Sequence, residues 1–140
     1  MVLKERIEKF WDAVMVKDIN GIEAAYVPSE STYVILEGPR FSTMGTTAIF
    51  KGWQDFLNSE INMCGYEWVE GPFEEIDGNT GWIGGITDLS LKVGDKIFSN
   101  RFRISFVMKD HDNDWKIRHE HVSAPMEDPY GVGDWLKKDT

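Results

Sequence analysis

The chain has 140 residues, 41% of them apolar, 13% aromatic and 28% charged. That length suits one globular domain, and the composition excludes a disordered coil, a collagen-like repeat and a membrane span. Asp and Glu number 24 against 15 Lys and Arg, a net charge of −9, which argues against nucleic acid or an anionic membrane as partner because both are held through Lys and Arg.

The single cysteine, Cys64, permits no internal disulfide and suits a reducing cytoplasm. The first residues carry no continuous apolar run of the kind a secretory signal needs. The chain is read as one cytoplasmic domain over 1–140.

Leu3, Ile7, Phe10, Trp11 and Val14 repeat at the spacing of one helical face, so the chain is expected to begin with an amphipathic helix. Asn20 with Glu23 resembles a capping box for a short second helix, which Pro28 ends. Ser31 to Glu37 is rich in strand formers. Gly38-Pro39 breaks that strand, and Gly45-Thr46 opens a third helix capped by Thr46 or Thr47 and running to about Asn62. Its apolar stripe is Ile49, Trp53, Phe56 and Leu57.

Strand periodicity follows. Tyr66 to Glu70 leads into a bend at Gly71-Pro72, and Asp77-Gly78-Asn79 makes a turn. Thr80 to Val93, Ile97 to Met108 and Trp115 to Ala124 are strands, separated by turns at Gly94-Asp95 and Asp112-Asn113-Asp114. The tail from Glu127 to Thr140 carries Tyr130, Trp135 and Leu136 and is read as an arm on its own domain or on a partner. Helices gathered first and an antiparallel sheet after them give an α+β fold.

The last strand holds the most chemistry. By a period of two, Trp115, Ile117, His119, His121 and Ser123 share one face, and Lys116, Arg118, Glu120 and Val122 the other. A face passing from apolar residues to two imidazoles and a hydroxyl suits a pocket wall. The histidines are candidates for acid–base chemistry, for a metal pair, or for structural hydrogen bonds. No third ligand lies close in sequence, so no metal site is assigned. On the preceding strand Arg101, Arg103, Ser105 and Val107 share one face, and Phe102, Ile104, Phe106 and Met108 the other. Either the apolar set is core and the arginines face water, or Arg103 and Ser105 line a pocket and the apolar set meets a second subunit.

Several motifs fail. Asp110-x-Asp112-x-Asp114 lacks the glycine and glutamate of an EF-hand. Gly81-Trp82-Ile83-Gly84-Gly85 lacks the end of a phosphate-binding loop. No Gly-x-Ser-x-Gly elbow marks a serine hydrolase. No cofactor is assigned.

The element order, the Gly45 helix and the run Asp114-Trp115-Lys116-Ile117-Arg118-His119-Glu120-His121-Val122-Ser123-Ala124-Pro125 resemble the SnoaL-like group of the NTF2-like (ketosteroid isomerase-like) superfamily. Arg103-x-Ser105 resembles that group's Arg-x-Thr, and the final strand is also similar to that of the calcium/calmodulin-dependent kinase association domain. The resemblance implies an α+β cone, with helices packed on a strongly curved, mostly antiparallel sheet. It further implies a homodimer through the outer sheet face, and so favours the second arrangement. His119 and His121 are then the expected catalytic residues. Arg103, Ser105 and Ser123 would bind a ligand, with Tyr33, Trp53 and Trp82 as apolar walls. Glu37, Asp88 and Glu70 are further candidates for inward carboxylates.

Two functions follow from this reading. One is binding of a small organic ligand, anionic ligands included, with Arg103 on its carboxylate or enolate and acid–base chemistry of the isomerase, cyclase or dehydratase kind. The other is a non-catalytic oligomerisation or sensing module. A metal enzyme built on His119 and His121 is a third, weaker reading.

Overall fold

The computed structural model describes residues 1–133. Three helices, α1 (Val2–Met15), α2 (Ile19–Ala24) and α3 (Thr46–Leu57), accompany six strands. The strands are β1 (Tyr33–Ile35), β2 (Thr43–Met44), β3 (Ile61–Asp77), β4 (Thr80–Val93), β5 (Lys96–His111) and β6 (Asp114–Ser123). They form one sheet in the order β2-β1-β6-β5-β4-β3. Strands β3 to β6 are an antiparallel meander, and β1 joins β6 in parallel, with Tyr33 beside His119.

The meander follows from its turns. Two residues join each pair, and Gly78, Gly94, Asp112 and Asn113 all have positive φ, as the right-handed twist of paired strands demands of tight hairpins. The second helix is capped by Asp18, which accepts from the Gly21 N–H at 3.1 Å; Asn20, the expected cap, lies inside the helix. The third helix is capped by Gly45 at φ 89° and ends at Leu57, so neither Thr46 nor Thr47 is its cap and Asn62 belongs to β3. The two-residue strand β2 carries no periodic signal and was not expected.

The face of α1 that carries Leu3, Ile7, Phe10, Trp11 and Val14 is buried against one side of the sheet. The Glu74 carboxylate on β3 accepts the Leu3 and Lys4 N–H groups at 3.1 and 3.0 Å, satisfying two free amides at the helix start and complementing its dipole. Arg6 reaches across to the Trp115 carbonyl of β6 at 2.7 Å. The helix is thereby tied at both sides of the sheet.

Phe102, Ile104, Phe106 and Met108 of β5 are buried in this core, whereas Arg101, Arg103 and Ser105 are exposed on the opposite, outer face. This is the first of the two arrangements, with the apolar set covered by the chain's own helices. The expectation that these phenylalanines meet a second subunit is therefore corrected.

A second correction concerns β6. Opposite β5, Met108 pairs with Ile117 but Val107 pairs with His119, so Arg118 is an extra residue. Such a bulge reverses the alternation beyond it. Ile117 is buried before it, and Glu120 and Val122 are buried after it. His119, His121 and Ser123 are accordingly carried to the outer face. A strict period of two had placed Ile117 with the histidines.

Candidate functional site

Between the helices and the inner sheet face lies a cavity of about 370 Å³. Its floor is built by Phe102 of β5 with Glu120 and Val122 of β6. Phe10 and Trp11 of α1 form one wall, and Trp53 and Phe56 of α3 another. The rim is the connection from β1 to β2, with Glu37, Pro39 and Arg40. Aromatic edges set the wall geometry: Phe10 and Trp53 meet at 90°, and Trp53 and Phe56 at 80°, each pair with centroids 5.6 Å apart.

The polar group at the floor is Glu120, only 3% exposed. Tyr26, itself buried at the end of α2, donates to Glu120 Oε1 at 2.6 Å, and Trp53 Nε1 donates to the Tyr26 hydroxyl oxygen at 3.0 Å. This relay fixes one carboxylate oxygen. No described residue donates to Oε2, and the side chain lines the cavity. Burial raises the Glu120 carboxyl to about 8; the bond from Tyr26 opposes that rise and the charge of Glu37 adds to it. Burial, then the Glu120 charge, likewise pushes the Tyr26 hydroxyl well above its ordinary value, so it remains a donor.

Glu37 stands at the rim. Its residue is exposed, yet the surrounding walls crowd its carboxyl and partial desolvation raises it to about 7. Because a wetted rim group feels a screened environment, the enclosed Glu120 is the stronger acid–base candidate. Two carboxyls with raised values in an apolar cavity can hold protons near neutral pH, and so can donate to or accept from a bound molecule.

The residues expected from the sequence divide between two places. Trp53 lines the cavity. Arg103, Ser105, His121 and Ser123 come together on the outer face, where Arg103, Ile104, Ser105 and His121 border a notch of about 230 Å³. His119 lies beside them and is spoken for: its Nδ1 lies 2.8 Å from the Tyr33 carbonyl oxygen, and its ring stacks on Tyr33 at 5.5 Å. Trp82 is also on the outer face, 44% exposed, because its partner Val107 pairs with His119 across the next ladder. None of His119, His121, Arg103, Ser105, Ser123, Tyr33 or Trp82 lines the main cavity.

Of the carboxylates, Asp88 is held by Arg101 on the outer face at 2.9 and 3.1 Å, and Glu70 is exposed beside it. Glu120 was missed. Its signal was present: Ile117 and Val122 are both strongly apolar yet an odd number of residues apart, which a regular strand cannot bury on one side. Among the described residues no three His, Cys, Asp or Glu side chains converge as metal ligands. No helix of the described residues is long and apolar enough to cross a membrane.

N-terminal helices packed over one face of such a sheet, with a cavity between, define the NTF2-like fold. Solved structures agree. An NTF2-like protein of unknown function from Pseudomonas putida superposes with a TM-score of 0.74 at 19% identity, covering 98% of this chain and 94% of that one. A Xanthomonas campestris protein named as a calcium/calmodulin dependent protein kinase II association domain gives 0.72 at 16%, covering 86% and 84%. A ketosteroid isomerase-like protein from Erwinia carotovora atroseptica gives 0.69 at 12%, covering 89% and 95%. The SnoaL-like domain family matches residues 3–127, and the chain belongs to that family. Comparison with curated proteins gives no match.

Proposed function

We propose that this SnoaL-like domain binds a small, largely apolar organic molecule in the cavity and exchanges a proton with it through Glu120. The observation that carries this reading is the enclosed Glu120 carboxyl, one oxygen held by Tyr26 and the other turned to an aromatic cavity. A volume of about 370 Å³ lies within the range of small-molecule sites. Near pH 7 the carboxyl, raised to about 8, is mostly protonated and can donate from Oε2 to a carbonyl oxygen. Once ionised, it can take a proton from the carbon next to that carbonyl. A positioned acid or base of this kind contributes about 10²- to 10⁴-fold to a proton transfer. Protonated Glu120 leaves the floor uncharged with one hydrogen to donate, which suits a neutral carbonyl compound.

Trp11 and Trp53 line the cavity, so tryptophan fluorescence reports occupancy. A panel of cyclic ketones is titrated, and exchange of their α-hydrogens in D₂O is followed by proton NMR. Glu120→Gln is expected to slow that exchange at least 100-fold while binding persists. Equal exchange in parent and variant, both above the buffer rate, would remove Glu120 from the reaction.

A homodimer through the outer sheet face forms the second part of the proposal. Phe73, Trp82 and Ile86 lie on that face, with Glu67, Glu70 and Glu75 on the β3 side and Arg101 and Arg103 on β5. A two-fold axis would bring the acidic side of one copy against the basic side of the other. Likeness to the kinase association domain supports the rival reading in which assembly is the whole function. Sedimentation of the parent and of Trp82→Glu tests the dimer, which the charge is expected to disrupt.

A further inference from the structure

Arg101 and Arg103 stand two residues apart on the outer face of β5, and their surroundings differ in one respect. The β4 partner of Arg101 is Asp88, which takes its guanidinium in a two-pronged bond. The β4 partner of Arg103 is Ile86. No described carboxylate forms an ion pair with Arg103.

Other groups brace Arg103. Its Nε donates to Ser123 Oγ at 2.9 Å and its Nη2 to the Ala124 carbonyl at 3.4 Å. A guanidinium has five N–H groups, so this edge-on bracing leaves a further donor edge free. Ser123 Oγ also lies 2.9 Å from His121 Nε2. Ser123 thus links the guanidinium and the imidazole through one oxygen.

The floor beside Arg103 is Ser105. Its two register partners are Gly84 and His121. Gly84 has no side chain, so nothing from β4 crowds the serine, where a Cβ would come within 3.5 Å of the Ser105 Cβ, and Ser105 borders the notch of about 230 Å³. The Ser105 hydroxyl donates to no described residue. One permanent cation, one hydroxyl and one imidazole therefore border one recess.

We propose that Arg103, Ser105 and His121 form a carboxylate-binding site on the outer sheet face, separate from the helix-covered cavity. The neighbouring Asp88–Arg101 pair is the internal precedent for this chemistry. A carboxylate matches the single charge and the planar fork of arginine. Arg103 is the one guanidinium or ammonium group bordering the notch, so a doubly charged phosphate meets a single permanent cation there. The carboxylate comes either from a free small acid or from an Asp or Glu of a second copy of this chain.

The probe is sodium benzoate, a carboxylate with a single charge. Amide shifts of Ser105 and Ser123 and the His121 ring resonances are followed by NMR, with sodium chloride at matched ionic strength as control. Saturable shifts are expected with benzoate and not with chloride, and Arg103→Gln should weaken binding at least tenfold. Ser105→Val, which removes the hydroxyl and fills the recess, should do the same. If a second copy supplies the carboxylate, Arg103→Gln raises the dimer dissociation constant at least tenfold in sedimentation, and benzoate dissociates the parent dimer. Shifts shared with chloride, or neither arm responding to Arg103→Gln, would overturn the site. Glu120→Gln leaves both arms unchanged, so the outcome is independent of the cavity chemistry.

Discussion

Replacing Glu120 with Gln tests the central electrostatic claim by the sign of a pH effect. Burial raises this carboxyl from 4.5 to about 8 in the folded chain. The folded state therefore holds a proton that the unfolded state releases. The associated stability is complete below about pH 4.5 and is lost as pH rises toward 8. At about 1.36 kcal/mol per pKa unit the full difference is on the order of 5 kcal/mol, and roughly 4 kcal/mol of it falls between pH 5 and 9. Glu37 acts in the same direction from the rim with a smaller, screened share. Glutamine keeps an oxygen for the Tyr26 hydroxyl and cannot ionise, but it turns an unpartnered amide into the cavity at a cost of about 1–3 kcal/mol. Urea unfolding at pH 5, 6, 7, 8 and 9 should give a steeply falling curve for the parent and a flatter one for Glu120→Gln. The variant is expected to be the less stable protein at pH 5 and the more stable at pH 9. Parallel curves, with equal m-values, would refute the argument that Glu120 is buried and protonated.

Two other substitutions probe neighbouring buried groups. Tyr26→Phe removes the 2.6 Å donor to Glu120; it should cost about 1–3 kcal/mol and move the Glu120 carboxyl further upward, read by carbon-13 NMR titration of that carboxyl. Thr87 is fully buried on the inner face of β4, and its hydroxyl oxygen has no hydrogen-bond partner among the described residues. Thr87→Val should accordingly raise unfolding stability by about 1 kcal/mol, measured in urea, whereas a loss of that size would place a hidden partner at the hydroxyl.

The architecture was legible because its determinants are local. The first helix announced itself by five apolar residues on one face, and the three hairpins by turn residues that tolerate positive φ. The strand from Thr80 to Val93 has the expected limits. The cap of the second helix was read two residues late because Asn20 and Asp18 offer similar side chains, and only the chain's path chooses between them. The β1–β6 pairing is parallel and joins distant segments, so no turn signals it. The site was harder to read than the fold. Which side of β5 the helices would cover depends on tertiary packing, and both sides offered a coherent reading. On β6 the error came from one unpaired residue. His119, His121 and Ser123 do share a face with Arg103 and Ser105, as the family resemblance implied, but on the side of the sheet away from the cavity. The polar group actually inside, Glu120, looked like surface because it alternates with the basic residues Lys116 and Arg118.

Arg118 has a consequence at the level of the gene. Its guanidinium is tied to the Ser31 carbonyl and hydroxyl, which holds the extra residue in place between two otherwise regular stretches. Deleting this one codon would join Ile117 directly to His119, opposite the adjacent Met108 and Val107, so the ladder becomes regular and every later side chain keeps its partner and its face. The carboxyl at the cavity floor would stay in place, and so would the imidazoles on the other side. In a regular strand the loss of one residue turns all that follows to the opposite face. The bulge is therefore a point where the final strand can lose a residue without exchanging the chemistry of its two surfaces.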